Sequence, residues 1–166
     1  MASSTITCRP LNTVRELPTA QLIFALFIVG LGLMVDVYDV WLFTVVRQPS
    51  LVSLAVPTAK ILSTGIGLLN IQMVGMVLGG LIWGIAGDTR GRKSVLFGSI
   101  FLYSIANLLN GFVTDVSTYG VLRFFAGMGL AGEVGAAMTI AAEITPTRYR
   151  AYGTAAIAAM GYIGSI

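Results

Sequence analysis

Four ionisable residues sit inside apolar sequence: Asp36 and Asp39 in GLGLMVDVYDVWLF, and Arg123 and Glu133 in TYGVLRFFAGMGLAGEVGAAMTIAAEI. A charge carried to the centre of a bilayer costs about 2.5–3.5 kcal/mol on insertion scales, so such groups face a cavity or a partner and mark ion and proton pathways. Asp36 and Asp39 are three positions apart, about 60° around a helix, and are therefore expected on one face. Counting about 1.5 Å per residue from Gln21 and Ile144 as ends on the same side, Asp36 lies roughly 22 Å deep, Asp39 27 Å, Arg123 31 Å and Glu133 16 Å. Asp39 and Arg123 are closest in depth, so the arginine is expected to answer one acid of the first apolar run. A permanent pair that merely fixes helix register is the alternative. Glu133 has no basic partner in the sequence and is read as a carboxyl that binds and releases a proton, unless its partner belongs to a missing part of the protein.

The chain has no histidine and a single cysteine, Cys8, which leaves carboxylates as the groups for proton chemistry. No metal or cofactor is expected. Nor is an enzyme, because no nucleophile stands beside a base.

These residues must be positioned by helices in a membrane. Of the 166 residues 56% are hydrophobic and 10% charged, and the mean hydropathy is +0.87. The net charge of +3 forms no basic stripe with interleaved aromatics, which excludes nucleic acid as a partner. Apolar runs long enough to cross occupy about 21–46, 61–87, 94–113 and 118–144, and a fifth, 152–166, has about 15 residues, short of the roughly 20 a crossing helix needs. The expectation is an all-α transmembrane bundle, a partial N-terminal one over 20–166, preceded by a cytoplasmic segment 1–19 and ending inside its fifth element. Arg9, Arg15, Arg90, Arg92, Lys93, Arg148 and Arg150 on one side, against Arg47 and Lys60 on the other, put the N-terminus in the cytoplasm. The longest loop is expected at about 47–60. Gly75, Gly79 and Gly80, and Gly127, Ala131 and Gly135, have the small-residue spacing of close helix contacts. Met73 and Met76 are read as packing, and Asn70, Gln72, Asn107 and Asn110 as interhelical hydrogen-bonding residues.

Between the second and third runs, GIAGDTRGRK is too short for anything but a tight turn. Asp88 there is placed to cap the third helix or meet its dipole, and Gly91 permits a sharp bend. This stretch resembles the G-x-L-a-D-r-x-G-r-k loop of the major facilitator superfamily, with Gly84, Asp88, Gly91, Arg92 and Lys93 in register and departures at Ala86 and Thr89. RFFAGMGLAGE resembles the R-F-x-x-G-x-G-x-G-G-E of its sugar, phosphate and organic-anion branches, with Ala131 in place of a glycine. EITPTRYRAYG is similar to the E-x-x-P-x-x-x-R-G ending, with Ala151 inserted after Arg150. DVYD resembles the D-x-x-D of proton-coupled symporters.

The resemblance implies a transporter of twelve helices in two six-helix halves, with a central site opened alternately to each side. It further implies that Asp88, Arg92 and Glu143 form a cytoplasmic gate cluster, and that Asp36 or Asp39 couples with Arg123. The expected function is proton-coupled symport of a small solute in the plasma membrane, with lipid, solute and proton as partners. Arg123 favours an anion such as phosphate or an organic acid over a sugar. The other expectation is a half-length assembly module that needs a partner chain and transports nothing alone.

Overall fold

The computed structural model describes residues 18–166 as five helices: α1 (Thr19–Ser53), α2 (Thr58–Arg90), α3 (Arg92–Asn110), α4 (Val116–Ile144) and α5 (Arg150–Ile163). Cys8, Arg9, Arg15 and nearly all of the N-terminal segment 1–19 lie outside the described residues.

The expected all-helical bundle is what forms, with different boundaries. The loop expected at about 47–60 is helix for much of its length, because α1 carries Arg47, Gln48 and Pro49 and ends at Ser53. Polarity ends the apolar run there without ending the helix: Arg47 donates through Nη1 to the Gly65 carbonyl at 3.4 Å, and Pro49 forfeits only one hydrogen bond near the end. The connection to α2 shrinks to residues 54–57, where Ala55 takes a left-handed φ of 56°.

Asp88 does not cap α3. It lies in the last turn of α2, and Gly91 alone joins the two helices with φ 87°, a left-handed conformation open to glycine at little cost. At the other end of α3, the exposed Asp115 caps α4. Its carboxylate accepts from Thr118 N–H and Oγ1–H, both at 2.7 Å, and these bonds hold it below the usual carboxylate range.

Three helices, α1, α2 and α4, are long and apolar enough to cross a membrane. The third apolar run, expected to cross, becomes a 19-residue helix that is not among them. It opens on Arg92 and Lys93 and carries Tyr103, Asn107 and Asn110 at helical spacing, which lowers its hydropathy and gives it one polar side. The fifth run forms a 14-residue helix.

Contacts fix how the helices run. Gly75 meets Phe124 and Gly79 meets Met128, so α2 and α4 advance together. Gly30 meets Met160 and Gly164 meets Met34, so α1 and α5 do as well, whereas Arg92 with Glu143 and Tyr103 with Gly129 make α3 antiparallel to α4. Each successive helix thus reverses direction.

A Cβ on Gly75 or Gly127 would fall on the backbone carbonyl of Phe124 or Gln72, and one on Gly79 would stand 2.5 Å from the Met128 carbonyl oxygen. Glycine lets these two backbones touch. Trp83 then donates through Nε1 to the Met128 carbonyl at 2.9 Å. Two members of the expected packing set do not take part: Gly80 and Gly135 are exposed, with no atom in the way of a Cβ. Met73 is likewise exposed, facing outward with Phe97, Phe101 and Leu81 as the apolar coat a bilayer accepts. Inside, Phe43, Leu51, Leu68 and Tyr119 pack at one level of the bundle, and Leu33, Ala141 and Ile157 at another.

Candidate functional site

Helix α1 presents its two aspartates to different cavities. Asp36, 4% exposed, lines a cavity of about 190 Å³ together with Glu133 of α4. The remaining walls, among them Leu33, Leu96, Ile100 and Ala137, are apolar, and no cation is among them. The cavity thus brings together two carboxyls from different helices in a small, otherwise apolar space.

Asp39 lines a second, polar cavity of about 400 Å³ with Asn107, Asn110, Tyr119 and Arg123. Its carboxylate oxygen Oδ2 accepts a hydrogen bond of 2.5 Å from the Tyr103 hydroxyl of α3. The depth match between Asp39 and Arg123 thus corresponds to one shared cavity, but the two form no ion pair among the described residues, whose salt bridges all involve Arg92. Tyr103 occupies the carboxylate instead.

Arg123 is 8% exposed, and its charge meets aromatic faces: the guanidinium carbon stands 3.8 Å from the Phe43 ring centroid and 5.5 Å from that of Tyr119. Phe43 and Tyr119 are themselves set edge to face at 6.0 Å. Nε and Nη1 are buried without a hydrogen-bond partner, and so are both side-chain polar atoms of Asn110. Most buried polar groups have a hydrogen-bond partner, so four unpaired atoms on two residues of one cavity set this region apart from the rest of the bundle.

Tyr103 and Phe43 are site residues that the sequence expectations do not include. Tyr103 had a signal, since with Asn107 and Asn110 it makes an i, i+4, i+7 polar row on α3. Phe43 had none, being one aromatic among many in an apolar helix. Gln72 and Asn110, expected to bond between helices, have unpaired atoms instead, and Asn70 is exposed.

At the opposite end of α4, Arg92 gathers two acids. Its Nη2 lies 3.4 Å from Asp88 Oδ1, and its Nε lies 3.6 Å from Glu143 Oε1. Close behind them Gly87 is buried, and a Cβ there would come within 3.0 Å of Arg92 Nη1. Gly84, Lys93 and Arg150 are exposed and make none of these ion pairs, and Gly91 forms the turn beside the cluster.

The helix order, the one-residue α2–α3 turn and the buried charges of α1 and α4 define a membrane transporter bundle. A sequence model described as sugar (and other) transporter matches residues 20–165, and the chain belongs to that family, within the major facilitator superfamily. These are integral membrane transporters and not enzymes. Among its relatives are a sialic acid transporter of Escherichia coli, 29% identical over 86% of this chain and 34% of the relative, and a niacin transporter of Acinetobacter baylyi, 28% identical over 84% and 31%. A cis,cis-muconate transport protein of Acinetobacter baylyi is 38% identical over 49% of this chain and 20% of its own. The chain therefore spans about a third or less of the length of these relatives. No solved structure is a significant match.

Proposed function

We propose that this chain supplies helices of the N-terminal half of a proton-coupled symporter that carries a small organic anion by alternating access. Arg123 carries this reading. A guanidinium nearly free of solvent, with Nε and Nη1 lacking acceptors and no carboxylate in salt-bridge reach among the described residues, calls for an anion from the cavity it lines. The relatives named for sialic acid, niacin and muconate are named for solutes that each carry a carboxylate, which favours an organic acid over phosphate or a sugar. Asp36, Asp39 and Glu133 serve as the proton carriers, and the plasma membrane holds the bundle with the N-terminus in the cytoplasm. The rest of the transporter lies in a C-terminal half or a partner chain.

The test uses the complete protein carrying this sequence, reconstituted in vesicles, with sialic acid, niacin, muconate and inorganic phosphate as probes. Arg123→Met should weaken binding of the accepted acid by at least about thirtyfold, the scale for leaving a buried charge pair incomplete. Arg123→Lys should restore only part of it, since an ammonium lacks the planar fork. Lys60→Gln, at an exposed cation, should leave affinity unchanged. Retention of full affinity by a folded Arg123→Met protein would remove the anion site.

The Arg92 cluster is proposed as the cytoplasmic gate. Asp88 and Glu143 side chains are 74% and 58% exposed, so each pair is worth only about 0.2–1 kcal/mol, enough to bias two conformations and too little to hold the fold. Asp88→Asn and Glu143→Gln should each slow transport several-fold while solute affinity stays within a few-fold. A large affinity loss at an unchanged maximal rate would contradict a gating role.

A further inference from the structure

We propose that the solute is a carboxylate bearing a second polar group that both donates and accepts hydrogen bonds, a hydroxyl or an amide, and that Asn110 recognises that group. The inference rests on the reading of Arg123 as the anion site and extends it to substrate class.

Asn110 is the last residue of α3 and lines the same 400 Å³ cavity as Arg123. Its Oδ1 and Nδ2 are both buried and both unpaired, so exchanging the two atoms by an amide flip changes nothing in the argument. The unpaired set is then two guanidinium nitrogens at Arg123, Nε and Nη1, with one carbonyl acceptor and one amide donor group at Asn110. Either unpaired nitrogen can join Nη2 in the two-pronged fork that suits the two oxygens of a carboxylate. An amide that needs both a donor and an acceptor suits a hydroxyl, or an N–H beside a carbonyl, and is satisfied by neither a methyl nor a bare aromatic edge. Asp39 does not compete for this role, because Tyr103 holds its Oδ2.

The other orphan shows what a purely structural case looks like. Gln72 Oε1 is also buried and unpaired, but Gln72 is 1% exposed, pressed against Gly127 in the α2–α4 contact, and lines none of the cavities described above. Asn110 differs in belonging to the wall of the 400 Å³ cavity, a space large enough for a ring-sized acid.

A site built to bond a hydroxyl discriminates against the analogue that lacks it, because the site's own polar atoms are then left bare. Benzoate and its 3- and 4-hydroxy derivatives serve as probes, with inorganic phosphate as a second anion, in equilibrium binding to the complete reconstituted protein. At least one hydroxybenzoate should bind about tenfold or more tightly than benzoate, and Asn110→Leu should narrow the gap to within about threefold by weakening the hydroxy acid and sparing benzoate. Asn110→Ala provides the same comparison should the leucine protein not fold, and the preference of the unmodified protein is informative without either variant. Equal binding of all three benzoates that is lost in Arg123→Met would overturn the role of Asn110 and leave the anion site standing. Binding of phosphate alone, dependent on Arg123, would have the same meaning. A preference for the hydroxy acid that Asn110→Leu and Asn110→Ala both retain would assign recognition elsewhere and overturn the proposal. Binding indifferent to Arg123, or no binding of any probe, would sink this inference together with the anion reading.

Discussion

Replacing Asp36 with asparagine is expected to abolish accumulation driven by an imposed pH gradient while leaving solute exchange at equal pH intact. The expectation comes from the cavity the side chain lines. Asp36 shares about 190 Å³ with Glu133, among apolar walls that offer no cation, so a proton is the simplest species the two carboxyls can hold. A carboxamide keeps the size and much of the hydrogen bonding of the acid but cannot release a proton, so the cycle continues and its coupling is lost. The steady inside-to-outside accumulation ratio should fall by at least about tenfold, equivalent to about 1.4 kcal/mol of lost driving force. Glu133→Gln should behave in the same way, since both residues line one cavity. Asp39→Asn should be milder in coupling and stronger in solute affinity, because Asp39 is held by Tyr103 on the wall of the solute cavity. The measurement compares gradient-driven uptake with exchange in vesicles of each folded variant. Normal accumulation by Asp36→Asn, Asp39→Asn and Glu133→Gln alike would end the case for proton coupling through these carboxyls. Equal loss of uptake and exchange in all three, at reduced folding yield, would instead assign them to structure.

Adding a single methyl group at Gly75 or Gly127 is expected to cost more stability than any other change of that size in α2 or α4. At both positions the new Cβ would occupy the space of a backbone carbonyl on the facing helix, of Phe124 and of Gln72 respectively. A carbonyl cannot turn aside as a flexible side chain does, so the helices must separate and the Trp83 bond to the Met128 carbonyl must stretch. Overpacking of this kind costs about 1–3 kcal/mol. Gly80→Ala and Gly135→Ala have the opposite expectation. Nothing stands near the added methyl, and replacing glycine by alanine inside a helix gains up to about 1 kcal/mol. Thermal unfolding of the four alanine variants in one detergent separates the two groups. Similar midpoints for Gly75→Ala and Gly80→Ala would contradict the contact between α2 and α4.

The sequence alone determined the helical class and the family, because a bilayer demands long apolar helices and short turns, and both can be counted along the chain. It also determined that Asp88 and Arg92 meet. Asp88 and Arg92 are four positions apart across Gly91, and the glycine has to follow the turn that the loop requires, so local spacing was enough to bring the charges together. Only the tertiary structure decided where the buried charges point. A span that is apolar all round carries no mark of which side meets protein and which meets lipid, so the shared face read for Asp36 and Asp39 could not show that one opens on Glu133 and the other on Tyr103 and Asn107. For the same reason Gly75 and Gly80 looked alike in the sequence, although one touches a carbonyl and the other nothing. Depth along a helix follows from counting residues, which is why Asp39 and Arg123 were matched. That Asp39 bonds to Tyr103 and forms no pair with Arg123 depends on how α3 packs on α4, through the contact of Gly129 and Gly132 with Tyr103 and Ser99, surfaces distant in the chain.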